Sequence, residues 1–244
     1  MKKFKSIHSS RTIMFSELEK VMAYSVDTNL FLESLKKNVT AKKSTSGVEK
    51  TSKYLKQLYV FDLQYSPFAV LKYFWKISEP NEKPLIAFVY AVNNDDLLAE
   101  SVQVLQTVKP GEKATIGLFE EVIEKYHPNQ YSANTRRSMA QNIASSWKQA
   151  GFIEGKVKNL RTQPNVTFRV ACFAFLLAYI NGNRGDFIWG SIGVNALCLH
   201  ESKLRELAIE CAKKDLMQYQ YAGNVTAINF KNLLNKIGIN GNTN

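Results

Sequence analysis

Residues Ser132 to Gly151 read SANTRRSMAQNIASSWKQAG, and this stretch decides how the rest of the chain is read. Met139, Ala140, Ile143, Trp147 and Ala150 recur at spacings of three and four, which predicts one buried helical stripe ending where Gly151 stops the helix. The other side presents Asn134, Arg137, Ser138, Gln141, Asn142 and Ser145 and carries no Asp or Glu. Such a face suits a DNA groove: Arg forks onto guanine, Asn and Gln pair with adenine, and no carboxylate repels the phosphates.

Working outward, the neighbours supply the rest of a winged helix-turn-helix. Upstream, Lys113–Ile116 predicts a short strand. Leu118–Tyr126 predicts a helix with Phe119, Val122 and Ile123 inward, and His127-Pro128-Asn129 the turn. Downstream, Phe152 and Ile153 are followed by Lys156, Lys158 and Arg161 before Pro164-Asn165, a basic wing of the kind that tracks phosphates or the minor groove. The candidate DNA contacts are Arg136 and Arg137 first, then Gln141, Asn142, Ser145, Lys148, Lys156, Lys158 and Arg161. The competing reading is a helical hairpin whose basic surface only keeps it soluble.

The expected architecture is mainly α, in three consecutive parts. Residues 1–93 form a basic helical amino-terminal region, 94–166 the first winged-helix-like domain and 167–244 a second, each winged unit with a small β-hairpin. In the first part, Ser16 with Glu19 has capping-box spacing and Asp27 is placed to cap a second helix. A third helix, Ser44 to Phe61, carries Val48, Leu55 and Leu58 on one face. Lys42, Lys43, Lys50 and Lys53 lie before it or along its polar side, a candidate phosphate-gripping set. Two apolar segments follow, Phe68–Trp75 and Leu85–Val92, separated by Pro80 and Pro84; the second reads as helix because its neighbours do. Asp95 or Asp96 caps a helix through Leu98, Val102 and Leu105, which Pro110-Gly111 ends. In the last part Thr167 caps an apolar helix, and a helix from about Glu201 to Lys214 follows. Leu216–Tyr221 and Val225–Phe230 then flank Ala222-Gly223-Asn224 as a hairpin. The Glu201–Lys214 helix mixes Glu201, Glu206 and Glu210 with Lys203, Arg205 and Lys213, which points to protein contact or plain solvation rather than to base reading.

Charge agrees with a polyanion partner. Among 244 residues, 32 Lys and Arg against 21 Asp and Glu leave +11, and the excess is clustered. Residues 1–60 are net +7, 61–130 net −4, 131–170 net +6 and 171–244 net +2. Cys172, Cys198 and Cys211 cannot form a paired framework and read as free thiols, placing the chain in a reduced, cytoplasmic setting. The most apolar run, Val170–Ile180, is about half the roughly 20 residues a membrane span needs, so no membrane partner is expected.

Enzyme signatures are absent from the sequence: no phosphate loop, no G-x-G-x-x-G, no G-x-S-x-G and no H-E-x-x-H. Cys198, His200 and Cys211 lack zinc spacing, and helix capping accounts for Asp95-Asp96 more simply than metal binding does. No catalytic role, cofactor, metal or small-molecule substrate is expected.

The chain resembles the BrxA family of the BREX phage-exclusion systems. The resemblance is spread along it: Asn38-Val39-Thr40-Ala41-Lys42-Lys43, then Asn94-Asp95-Asp96-Leu97-Leu98, then the Ser132–Gly151 helix. The closing part carries most of it, in Phe175-Leu176-Leu177, Gly182-Asn183-Arg184-Gly185 and Ala222-Gly223-Asn224-Val225 through Phe230 to Leu233-Leu234. What it implies is a small, non-catalytic, double-stranded-DNA-binding component of a bacterial antiviral defence system, with other BREX proteins as partners; it transfers no site residues. A scaffold that joins larger enzymes of the defence complex, or an RNA-binding protein, are the alternatives.

Overall fold

The computed structural model describes residues 4–155, 157–223 and 225–239. It is mainly helical, 58% helix against 6% strand, with two small antiparallel hairpins. In chain order the helices are α1 (Phe15–Ser25), α2 (Phe31–Lys36), α3 (Thr45–Tyr59), α4 (Ser66–Ile77), α5 (Lys83–Asn94), α6 (Asp96–Glu100), α7 (Val102–Thr107), α8 (Ile116–Tyr126) and α9 (Ala133–Gln149). The first hairpin follows, β1 (Ile153–Glu154) and β2 (Leu160–Arg161). Then come α10 (Phe168–Ile180), a 3-10 turn (Gly185–Ile188), α11 (Ile192–Asn195) and α12 (Glu201–Lys213). The second hairpin, β3 (Gln218–Ala222) and β4 (Val225–Asn229), leads into α13 (Lys231–Ile237).

Packing divides the chain elsewhere than at the three consecutive parts read from sequence. One compact unit is Met1–Asp62 with Asn94–Gln163; the other is Leu63–Asn93 with Pro164–Asn244. The apolar segment pair α4 and α5 belongs with the carboxyl-terminal half for a chemical reason. Glu82, almost fully buried at the start of α5, accepts from the Thr167 hydroxyl and lies 3.3 Å from the Arg169 guanidinium, so the entry to α10 is tied to it.

In the second unit α10 is the centre. Val170 to Ala178 are buried on every side, as expected of a helix apolar all round. Phe74 of α4 and Phe173 of α10 meet with ring centroids 5.4 Å apart. Cys172 and Cys211 are buried and free, and burial pushes the Cys172 thiol well above its ordinary value. Among the described residues no helix is long and apolar enough to cross a membrane.

In the first unit the helices α3, α6 and α9 begin on the side-chain caps their sequences carry: Ser44, Asp95 and Ser132 each accept from a backbone N–H of the first turn. The two other capping expectations of this unit do not hold, and in the second unit Thr167 precedes α10 without a side-chain cap, its hydroxyl going to Glu82 instead. α1 starts after Met14, whose φ is 55°, with no side-chain cap of its own, and the N–H of Phe15 is taken instead by Gln149 Oε1 of α9 at 3.0 Å. Ser16 is therefore inside the helix. α2 starts at Phe31 with Leu30 before it, and Asp27 sits in the preceding turn. The expected strand Lys113–Ile116 contracts to one antiparallel bridge, Lys113 to Leu160, because α8 already begins at Ile116 under a Thr115 cap. That bridge lands on β2, whose register with β1 pairs Ile153 with Arg161 and Glu154 with Leu160.

Candidate nucleic-acid interface

α9 has three faces, not two. Met139, Ile143 and Trp147 are buried, and the Trp147 indole N–H donates to Ser101 Oγ at 2.8 Å. A second face, Asn142, Ser146 and Gln149 at spacings of four and three, is covered by a strap formed by residues 5–15. Asn142 Nδ2 donates to the His8 carbonyl at 2.9 Å. Ser146 Oγ accepts from Ile13 N–H at 3.0 Å and lies 2.8 Å from His8 Nε2. Gln149 accepts from Phe15 as above. The third face, exposed at Asn134, Arg137, Ser138 and Gln141 and half-exposed at Ser145 and Lys148, is left to solvent.

Asp95 anchors the strap. Its carboxylate accepts from Ile7 N–H at 2.7 Å, the Ser6 hydroxyl at 2.8 Å and Leu98 N–H at 3.0 Å, and His8 Nδ1 lies 2.9 Å away. Burial pushes this carboxyl upward, but the His8 ring and the two backbone donors outweigh it and hold the group below its ordinary value. Lys5 adds two bonds with Asp96: its backbone N–H donates to the carboxylate Oδ2, and its carbonyl accepts the Asp96 N–H at 2.9 Å. Ser146, His8 and Asp95 follow the order of a nucleophile relay, yet all three are fully buried. The geometry ties strap to helix and leaves no room for a substrate at the Ser146 oxygen.

The sequence-derived contacts separate on these faces. Arg137, 65% exposed, lies 3.8 Å from Glu120 of α8. Arg136, 28% exposed, makes an ion pair with Glu124 of the same helix, and the Asn129 N–H and Arg136 hold the Glu124 carboxyl below its ordinary value despite desolvation. So α9 itself carries no carboxylate, but α8 brings two to its arginines. Gln141, Ser145 and Lys148 share the open face with Arg137. Asn142 does not: it is part of the strap seam.

Arg161 is a correction. It is 2% exposed, its Nε donates to the Leu105 carbonyl at 3.4 Å, its Nη2 to Gln163 Oε1 at 2.9 Å, and its guanidinium lies 5.2 Å from the Phe152 ring centroid. The β1–β2 register turns it inward opposite Ile153, so it packs the base of the hairpin rather than meeting phosphate. Lys158 is exposed on the hairpin loop; Lys156 lies outside the described residues. On or before α3, Lys43, Lys50 and Lys53 are exposed, Lys53 standing 5.8 Å over the Tyr54 ring, while Lys42 is held by Glu17 at 2.7 Å.

What the sequence reading missed is the strap seam and the α8 glutamates. Both had a signal: Asn142, Ser146 and Gln149 are a polar stripe at helical spacing, and Glu120 and Glu124 lie four apart on one helix face.

In the second unit, Glu201, Lys203, Arg205 and Glu206 of α12 are answered locally. Arg205 lies 2.9 Å from Asp186 and 2.7 Å from Glu201 and also donates to the Tyr219 and Thr226 hydroxyls, while Lys203 pairs with Glu206 at 2.8 Å. Compared with known proteins, the chain matches no family model, no curated protein and no solved structure.

Proposed function

We propose that the chain is a non-catalytic, double-stranded-DNA-binding accessory protein, of the kind a BREX-type phage-defence system would use, and that it reads the duplex with the open face of α9. The observation that carries this is the exposed stripe Asn134, Arg137, Ser138, Gln141, Ser145 and Lys148: amide, hydroxyl and cationic groups, with no carboxylate on that helix. The order around it supports a winged helix-turn-helix: a bridge at Lys113, then α8, a turn, α9 and a hairpin whose second strand receives the bridge. Lys158 on the hairpin loop, Lys43 just before α3, and Lys50 and Lys53 on α3 are the phosphate-contact candidates that remain exposed.

The test is fluorescence anisotropy with labelled duplex DNA, single-stranded DNA and duplex RNA at several salt concentrations. Arg137→Ala should weaken duplex binding by about 1–3 kcal/mol, the range for a guanidinium on a base edge. Lys158→Ala should lower the salt slope by about one unit. Unchanged affinity in Arg137→Ala removes α9 from the interface.

A protein-scaffold role has one observation in its favour: α12, the equivalent helix of the second unit, presents paired charges of both signs and the exposed Ile209. Co-purification of partner proteins that survives nuclease treatment would support that role.

A further inference from the structure

The second hairpin carries no charge. From Leu216 to Phe230, fifteen residues run LMQYQYAGNVTAINF without a single Lys, Arg, Asp or Glu, in a chain that is 22% charged. Exposed hairpins ordinarily carry charges, lysine above all, that discourage unwanted pairing, so a bare one is informative. Its two faces differ. The register pairs Tyr219 with Ile228 and Tyr221 with Thr226, and this side turns toward Arg205, whose guanidinium lies 4.4 Å from the Tyr221 ring centroid. The other side sets Gln218 opposite Asn229 and Gln220 opposite Ala227, an amide surface open to solvent.

Beside that surface is a cleft of about 410 Å³ that Gln218, Gln220, Asn229 and Arg184 help to line, with no carboxylate among its lining residues. Arg184 is held rigidly at its rim. Its guanidinium stacks on Tyr179, 3.8 Å from the ring centroid, and Tyr179 in turn meets Phe230. Nη1 donates to the carbonyls of Tyr179 and Asn183, so neither of its hydrogens is left for a ligand, whereas Nε and Nη2 have no hydrogen-bond partner among the described residues. The next residue, Gly185, runs so close to β4 that a Cβ there would come within 2.9 Å of the Thr226 carbonyl, which fixes the rim against the strand.

We infer that this cleft is a second nucleic-acid contact. It takes a nucleotide of a bound strand, with a phosphate oxygen at the free edge of Arg184 and a base or sugar edge against the amides of Gln218, Gln220 and Asn229. A planar cation stacked on an aromatic ring and flanked by amides offers donors and acceptors to a base and a fixed positive edge to a phosphate. Its position on the outer hairpin face, not on α12, agrees with the local pairing of Lys203 and Arg205 on that helix. The inference rests on the chain binding nucleic acid at all, and the experiment separates the two.

Arg184→Gln, Gln220→Glu and Arg137→Ala would be compared with the unaltered full chain. Each would be titrated onto labelled duplex and single-stranded DNA of equal length across several salt concentrations, with light scattering for oligomeric state. Arg184→Gln should weaken binding roughly tenfold and lower the salt slope by about one unit, as loss of one charge-assisted phosphate contact does. Gln220→Glu, an exposed strand substitution that leaves the fold alone, should weaken binding at least as much by placing an anion in the cleft. The DNA form on which the loss is larger identifies whether the cleft takes a paired or an unpaired strand. If both cleft variants bind like the unaltered chain while Arg137→Ala is weakened, the cleft is not a nucleic-acid contact and the α9 reading stands. Weakened cleft variants beside an unaffected Arg137→Ala leave the cleft standing and remove α9. An unaltered chain that binds neither DNA form overturns both. A change in oligomeric state with unchanged DNA affinity makes the hairpin a protein contact and overturns the inference.

Discussion

Replacing Asp95 with Ala should destabilise the first unit severely, and the size of the effect can be worked from the contacts. One carboxylate caps α6 and receives two backbone N–H groups and the Ser6 hydroxyl, with the His8 ring beside it; Asp95 and His8 are at most 1% exposed. Loss of the cap alone costs about 1 kcal/mol. The Ile7 N–H and the His8 ring are then left buried without their acceptor, and breaking such a buried pair costs about 3–5 kcal/mol. These figures describe overlapping parts of one group and do not add, so about 4 kcal/mol is the expectation. Folded domains are stable by only about 5–15 kcal/mol, so this is a large share. At roughly 4 °C per kcal/mol for a unit of this size, the melting point should fall by about 15 °C. Asp95→Asn keeps one acceptor for Leu98 and should lose about half as much. Urea unfolding gives the measurement: in a reference chain with Trp75 and Trp189 replaced by Phe, Trp147 fluorescence reports the first unit, since it is the one tryptophan there. If Asp95→Ala stays within about 1 kcal/mol of that reference, the strap seam contributes little and the reasoning fails. A double-mutant cycle with His8→Ala should show a coupling above about 1 kcal/mol, because the two side chains touch.

The same carboxyl sets a pH dependence. Its native value lies below the ordinary carboxylate range, so the folded state holds its proton less tightly than the unfolded one. The stabilisation is therefore present above about pH 4, the unfolded value, and lost as pH falls through the native one. Urea midpoints followed downward from neutral pH should drop in that acid window, and the drop should shrink in Asp95→Asn. Arg161→Gln gives a contrasting pattern to Lys158→Ala. It should lower thermal stability, because a buried guanidinium that donates to Leu105 and Gln163 is removed, and leave the salt slope of DNA binding unchanged. A slope reduced by one unit with unchanged stability would return Arg161 to the phosphate contacts.

Local patterns were legible wherever a segment solves its own hydrogen-bonding problem. Ser44, Asp95 and Ser132 cap the helices their positions predict, and the three-four spacing of Met139, Ile143 and Trp147 is buried as read. α10 and the second hairpin also lie where apolar run, turn residues and alternation place them. Three of the readings that failed depend on distant partners. Ser16 lost its role as a cap because the helix begins before it, at Phe15, whose N–H is taken by Gln149 more than a hundred residues away. Asn142 looked like a groove residue because a helical wheel has no way of showing a strap from residues 5–15 lying along it. Arg161 looked like phosphate-binding charge because a basic cluster in sequence says nothing of pleat: the pairing of Ile153 with Arg161 decides which way the side chain turns.

The two arginines that open α9 show why adjacency in sequence is not equivalence at an interface. Glu124 uses both carboxylate oxygens: Oε2 holds Arg136, and Oε1 accepts the Asn129 N–H at 3.0 Å, where the chain turns with a φ of 60°. This links α8, the turn and the first turn of α9 through one side chain, so Arg136 sets the angle at which α9 is presented. Drawing it onto a phosphate would loosen the turn that positions the helix. Arg137 is under no such constraint. Its ion pair with Glu120 is long and solvated, and exposed pairs of this kind are worth about 0–1 kcal/mol. A guanine edge or a phosphate, met in a drier groove through charge-assisted hydrogen bonds, offers about twice the strength of a neutral one and outcompetes that pair. On the proposed reading, Arg136 orients α9 and Arg137 leaves Glu120 for the DNA.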